Sequence, residues 1–85
     1  MFYVYVLKSL KTGTFYKGQT NNIEKRLYEH LSGQVKSTIK LVPIELFFVQ
    51  ICESRSEAMN MEKFLKSGHG RDFIKFLVEH DDFIV

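Results

Sequence analysis

Residues 2–20 have the sequence FYVYVLKSLKTGTFYKGQT, two strand-like runs on either side of a glycine turn. Aromatic and β-branched residues dominate the first run, and the second run follows a turn at Gly13. The pattern predicts an antiparallel hairpin. Side chains alternate along a strand, so Tyr3, Tyr5 and Leu7 should share one face of it.

The rest of the chain alternates between helical and strand-like patterns. Asn21 and Glu24 resemble a capping box, which predicts a helix from about residue 22 to residue 31. A polar loop follows at 32–43, and IELFFVQI at 44–51, apolar on both faces, predicts a well-buried strand. Ser54 and Glu57 predict a second helix that ends near Gly68, and a short third helix is expected at about 71–78. The predicted fold class is α/β (α+β): a small three-stranded, mostly antiparallel sheet flanked by helices, in the order β-β-α-β-α-α.

Length and composition indicate one globular domain. The chain has 85 residues, 45% of them hydrophobic and 26% charged, so we expect a single domain over 1–85 with 79–85 as an acidic tail. The single cysteine, Cys52, cannot form an internal disulfide, no Cys/His spacing resembles a zinc site, and no leader or membrane helix is expected. These features favour a cytoplasmic protein that does not bind membranes. They leave the oligomeric state open between a monomer and a weak dimer.

The charge is unevenly distributed. Residues 1–78 carry all twelve Lys and Arg against seven acidic residues, a net charge of +5, whereas 79–85 carry three acids and no Lys or Arg. The body of the protein is therefore basic, which makes a polyanionic partner such as nucleic acid plausible.

Two polar residues flank the predicted apolar stripe of the first helix. Ile23, Leu27 and Leu31 should form that stripe, while Arg26 and His30, one turn apart, lie on one side of it. The Arg26 stem alone could simply cover apolar surface. A histidine four residues later favours a functional pair.

Glu62 lies inside the apolar arc of the second helix. Ala58, Met59, Met61 and Leu65 define that arc. A carboxylate there is costly to desolvate unless it is paired or binds a metal. Either Glu62 forms an ion pair with Arg26 or a lysine, or it is a metal ligand or general base.

Two tyrosines and a glycine complete the candidate set. Tyr5 and Tyr16 could each be structural, since tyrosine commonly packs in strands. Gly18 within a strand indicates a bulge or a close backbone approach to a ligand. Hydroxyls, a guanidinium, an imidazole and one carboxylate suit phosphate-ester chemistry better than acyl transfer, because no Ser or Cys nucleophile has an evident base partner.

These residues, in this order, resemble the GIY-YIG nuclease domain. Tyr3-Val4-Tyr5 is similar to the first motif of that family, Tyr16-Lys17-Gly18 to the second, and GQTNNIEKRLYEH to the segment that follows. The resemblance covers nearly the whole chain and is closest to the small single-domain members. Ile74 stands where many catalytic members carry an asparagine.

The resemblance implies a role for each matching residue. Glu62 matches the ligand of one divalent metal, Mg²⁺ or Mn²⁺, and Arg26 the arginine that neutralises charge on the phosphoryl oxygens. Tyr5 and Tyr16 match the motif tyrosines, of which Tyr5 is favoured as the base that activates water, and His30 a position that orients or relays a proton from a tyrosine. The residues expected to contact nucleic acid are Lys17, Gly18, Lys36, Lys40 and Arg71.

Three functions follow from these interpretations. The first is a metal-dependent DNA endonuclease, structure-selective or weakly specific, with a role in repair or recombination. The second is a catalytically weak or inactive nucleic-acid-binding module of the same fold, in which Glu62 pairs with a cation. The third is a purely structural or protein-binding domain, which would leave the sheet face with the two tyrosines unexplained. The glycine-rich segment 67–71 is either a phosphate-holding loop or, as we favour, a turn between helices.

Overall fold

The computed structural model describes residues 1–80 and contains a three-stranded antiparallel sheet packed against three α-helices. The predicted order β-β-α-β-α-α is confirmed. The elements are β1 (Phe2–Ser9), β2 (Phe15–Thr20), α1 (Ile23–Leu31), β3 (Ile44–Cys52), α2 (Arg55–Lys66) and α3 (Gly68–Glu79), with a 3₁₀ turn at Ile39–Leu41. The sheet order is β2-β1-β3, so both other strands pair with β1.

The predicted hairpin forms β1 and β2. Gly13 turns the chain with a positive φ of 78°, a conformation that glycine adopts without steric cost. The register places Tyr5 opposite Gly18 and Leu7 opposite Tyr16. Both motif tyrosines therefore lie on the same face of the sheet.

The alternation along β1 divides the core in two. Val4 and Val6 pack with buried residues of α2 and α3, among them Leu65 and Ile74. Tyr5 and Leu7 form a second cluster, against which α1 packs. The central strand is thus buried on both faces.

The prediction that β3 is well buried is wrong. Leu46, Val49 and Ile51 are 41%, 41% and 55% exposed. β3 is an edge strand that pairs with β1 only, and its register shifts opposite Val6 and Leu7, which interrupts the regular alternation. Its apolar character does not make it a central strand.

The cap of α1 differs from the prediction by one residue. Asn22, not Asn21, accepts the hydrogen bond, from the Lys25 amide at 3.2 Å. The core stripe is also displaced: Leu31 is 52% exposed, and His30 is fully buried instead. The side of α1 that carries His30 therefore faces the sheet.

The caps of the other two helices explain their boundaries. Ser54 caps α2 as predicted, accepting from the Glu57 amide at 3.1 Å. Met59 was expected in the apolar arc of α2 but is 48% exposed. Ser67 accepts from the Gly70 amide, so α3 begins three residues earlier than predicted.

Two further expectations concern the ends and surface of the chain. Of the proposed tail 79–85, Glu79 lies in the last turn of α3, and residues 81–85 lie outside the described residues. None of the helices within 1–80 has the length and hydropathy needed to cross a bilayer.

Candidate active site

A cleft of about 400 Å³ runs along β2 at the edge of the sheet. Side chains from both faces of β2 reach it, and α1 and α2 contribute one residue and two residues respectively. The lining residues are Tyr5, Phe15, Tyr16, Lys17, Gly18, Gln19, Arg26, Glu62 and Lys66. The fold therefore brings four of the five proposed catalytic residues to one cleft.

Tyr5 and Gly18 are tightly packed against each other. A Cβ atom on Gly18 would lie 2.5 Å from the Tyr5 hydroxyl oxygen, closer than non-bonded atoms approach. The register at Gly18 is regular, so there is no bulge at this position. Gly18 approaches the ring of Tyr5 closely and also lines the cleft, where its approach to a ligand stays a prediction.

The fifth residue, His30, lies behind the cleft wall. It is fully buried, and its Nε2 lies 2.9 Å from the Tyr5 hydroxyl oxygen. Its Nδ1 lies 2.8 Å from Oγ1 of Thr38, which is also fully buried. The Tyr16 ring packs beside the imidazole, with centroids 5.3 Å apart. His30 thus links both tyrosines to the loop at 32–43.

Burial is the main influence on the protonation of His30 and Tyr5. It lowers the pKa of His30 below the usual 6.5, and the nearby Arg26 charge lowers it further, against the opposing effect of Glu29. Burial likewise raises the pKa of the Tyr5 phenol above 10, although Arg26 opposes that shift. At neutral pH the site therefore holds a neutral imidazole and a protonated Tyr5.

Arg26 lies between the tyrosine and an acidic neighbour. The interaction with the Tyr5 hydroxyl raises the pKa of Arg26 most, and Glu29 raises it further. Burial acts in the opposite direction but is outweighed. Nη1 of Arg26 lies 3.3 Å from Oε1 of Glu29. The side chain is 37% exposed, so the guanidinium remains accessible from the cleft.

Glu62 is the carboxylate of the cleft, with a side chain 20% exposed. It accepts a hydrogen bond from Nζ of Lys66 at 2.6 Å, the lysine pairing that the sequence left open. Within residues 1–80 no group of three or more His, Cys, Asp or Glu could hold a metal. One carboxylate still suits Mg²⁺, which usually keeps several waters and binds through one or two carboxylates plus substrate phosphates.

A cluster of cations flanks the cleft. Lys17 and Lys66 both line the cleft. Burial lowers the pKa of Lys17, and the charges of Arg71 and Lys66 lower it further. Lys17 also lines a neighbouring cleft with Arg71. By contrast, Lys36 and Lys40 are exposed on the loop 32–43 and line neither cleft.

The segment after α2 is a tight helix-to-helix turn. A Cβ on Gly70 would overlap the backbone at Phe64 and Leu65, so glycine permits the close approach of α2 and α3. Ile74, at the position of the family asparagine, is 4% exposed and packs in the core. It therefore places no amide in the candidate site.

Several residues that contact the site were not predicted from the sequence, among them Lys66 and Thr38. Lys66 could have been found from its spacing of four residues from Glu62 on one helix. Thr38 gave no such signal, because a threonine in a polar loop is ordinary. Only the folded loop brings it to His30.

Comparison with known proteins gives a consistent family. The GIY-YIG catalytic domain matches residues 1–75. A UPF0213 protein of Bacillus licheniformis is 42% identical over 65 residues, 75% of this chain and 66% of that protein. A UPF0213 protein of Streptococcus pneumoniae is 36% identical, over 94% of this chain and 81% of that protein. A UPF0213 protein of Staphylococcus saprophyticus is 31% identical, over 91% of this chain and 94% of that protein. No solved structure matches.

Proposed function

We propose that this chain, which belongs to the GIY-YIG catalytic domain family, is a metal-dependent endonuclease that hydrolyses phosphodiester bonds in DNA. The observation that carries the proposal is the cleft along β2. Tyr5, Tyr16, Arg26 and Glu62 line it together, with His30 directly behind Tyr5. A structural domain has no need of such a convergence of ionisable groups.

Glu62 and Arg26 are proposed to manage the phosphate charge. Glu62 would hold one Mg²⁺ or Mn²⁺, which when bound polarises the phosphate and stabilises the leaving 3′ oxygen. Arg26 donates hydrogen bonds to the phosphoryl oxygens as negative charge develops on them, a role suited to its planar fork of donors. Glu29 holds the guanidinium in place.

Tyr5 and His30 are proposed to activate the attacking water together. Because the Tyr5 pKa is raised, a standing phenolate is not available at neutral pH. Tyr5 instead takes a proton from water as its own proton passes to Nε2 of His30, 2.9 Å away. The hydroxide formed attacks phosphorus as the bond between phosphorus and the 3′ oxygen breaks, and the 3′ oxygen takes a proton from solvent water. Tyr16 orients the attacking water from the open side of the cleft.

The flanking cations are proposed to bind the DNA backbone. Lys17, Lys66 and Arg71 lie together near the cleft, and Lys36 and Lys40 extend the basic surface along the loop. Contacts of this kind position DNA without reading its sequence. We therefore propose structure-selective or weakly specific cutting, in DNA repair or recombination in the cytoplasm.

One alternative is favoured by specific observations: a nucleic-acid-binding module with weak or no catalysis. Lys66 already satisfies the Glu62 carboxylate, and Ile74 supplies no amide to the site. In that case the protein binds DNA in a salt-sensitive manner but does not cut it.

Cleavage of nicked, flapped and branched DNA with Mg²⁺ or Mn²⁺ distinguishes the two. The wild type is compared with Glu62→Gln, and with Glu45→Gln, which removes the same charge from an exposed position of β3. Metal-dependent cutting that is lost only in Glu62→Gln supports the nuclease. Equal DNA binding by all three without cutting refutes it and supports the binding module.

A further inference from the structure

We infer that Thr38 is a positioning residue, whose hydroxyl oxygen fixes the tautomer of His30 so that Nε2 accepts the proton of Tyr5. The inference rests on the proposed function for its catalytic meaning. The hydrogen-bonded juxtaposition of Tyr5, His30 and Thr38 stands independently of it.

Among residues 1–80, the hydrogen bond to His30 is the one that the structure gives the Thr38 side chain. Thr38 precedes the 3₁₀ turn Ile39–Leu41, yet its side chain makes no capping hydrogen bond there. Ile39 and Lys40 beside it are exposed, whereas Thr38 is fully buried. The hydroxyl is directed inward, 2.8 Å from Nδ1 of His30.

The surroundings of Tyr5 assign the direction of the hydrogen bonds. The Arg26 guanidinium, which can only donate, lies beside the phenol oxygen. Within residues 1–80, Nε2 of His30 is the acceptor that the structure gives the Tyr5 hydroxyl. A phenol is also more acidic than an aliphatic hydroxyl and makes the stronger bond to an imidazole lone pair. Tyr5 therefore donates to Nε2.

A neutral imidazole carries its hydrogen on the other nitrogen. If Nε2 accepts from Tyr5, Nδ1 bears the hydrogen and donates it to the Thr38 oxygen. Without an acceptor at that point, Nδ1–H would be buried and unpaired, and the Nε2–H tautomer would gain population. That tautomer cannot accept the Tyr5 proton, so catalysis would fall although the DNA contacts remain.

Nitrogen-15 NMR of the metal-free, DNA-free protein tests the assignment directly. The chain has three histidines, and a His69→Gln/His80→Gln background leaves only the His30 imidazole. We expect the Nδ1–H tautomer in this protein and with Thr38→Ser added, and a shift toward Nε2–H with Thr38→Val. An Nε2–H tautomer in the parent protein overturns the inference, and that result does not depend on whether Thr38→Val folds.

Kinetics with wild-type Tyr5 and His30 provides the second readout. Thr38→Val should lower kcat about tenfold or more with KM for DNA unchanged, and Thr38→Ser should restore it. If DNA is cut but Thr38→Val and Thr38→Ser have the same tautomer and rate, Thr38 has no positioning role. If the tautomers are as expected but no variant cuts DNA, the nuclease proposal fails and the assignment of the hydrogen bonds stands.

Discussion

Gly18 and Tyr5 lie opposite each other in the hairpin, and the Tyr5 ring occupies the space that a side chain at position 18 would need. The sequence predicted either a bulge or a close approach to a ligand at Gly18; the structure has regular pairing there and packs the glycine against the Tyr5 ring. The residue type was predictable, because a strand glycine indicates close packing. Its packing partner was not predictable, since the sequence does not show which aromatic ring packs over the glycine. At the scale of residues, the candidate site is set by such contacts.

His30 should make stability depend on pH. Its pKa in the folded state lies below the usual 6.5, so below about pH 6.5 the unfolded chain binds the proton more readily, and acid favours unfolding. As the pH falls from about 7.5 to 5, the wild type should lose up to about 1.4 kcal/mol of unfolding free energy per pH unit.

Urea denaturation at several pH values measures this loss against His30→Gln. Arg26 and Glu29, the charged groups near the imidazole, are unchanged in that variant. The acid-induced loss should be smaller in His30→Gln. An equal loss in both proteins would assign it to other groups.

At the scale of elements, α2 carries Glu62, the carboxylate of the site, and one turn later Lys66, which competes with a metal for that carboxylate. Glu62 and Lys66 form an i, i+4 ion pair with N and O 2.6 Å apart. Lys66 therefore occupies the carboxylate that a metal would need, while adding to the cations beside Lys17. The position of Glu62 was predictable from the apolar arc of the helix, and the spacing of four residues on one helix would have identified Lys66 as its partner.

Removal of the Lys66 charge should strengthen metal binding at Glu62. Such a pair contributes about 0.3–0.5 kcal/mol, so Lys66→Gln should bind Mn²⁺ roughly twofold more tightly, and the loss of a nearby positive charge acts in the same direction. Titration calorimetry in the absence of DNA measures the affinity. Lys63→Gln, exposed on the same helix and with the same change in charge, is the control. Equal affinities in the two variants would contradict a role of Glu62 in metal binding.

At the scale of the whole molecule, the element order and the sheet followed from the sequence, because the hairpin and the helix caps are local signals. The edge position of β3 did not follow, since an apolar strand can be central or can lie at an edge with exposed side chains such as Ile51. Nor did the distribution of cations follow: Lys17 lines the cleft and, together with Arg71, the neighbouring cleft, while Lys36 and Lys40 line neither. Net charge predicts a polyanionic partner but not where it binds.

The salt dependence of DNA binding should report that distribution. Each lost phosphate contact lowers the slope of log K against log salt by about 0.9 for duplex DNA. Lys17→Ala/Arg71→Ala should therefore reduce the slope by up to about 1.8. Fluorescence anisotropy over a salt series measures it, with Lys11→Ala/Lys63→Ala, two exposed lysines that line neither cleft, as the charge-matched control. An equal reduction in both double variants would show a diffuse interface.

The contact between His30 and Thr38 also restricts how the chain can change in length. The two residues are eight positions apart, and both are fully buried. Surface loops usually tolerate insertions and deletions, and the turn at Gly13 should do so. The connection between His30 and Thr38 should not, because one residue more or fewer would displace the hydroxyl from the imidazole. A segment that looks like an ordinary polar loop is therefore as fixed in length as a helix or a strand.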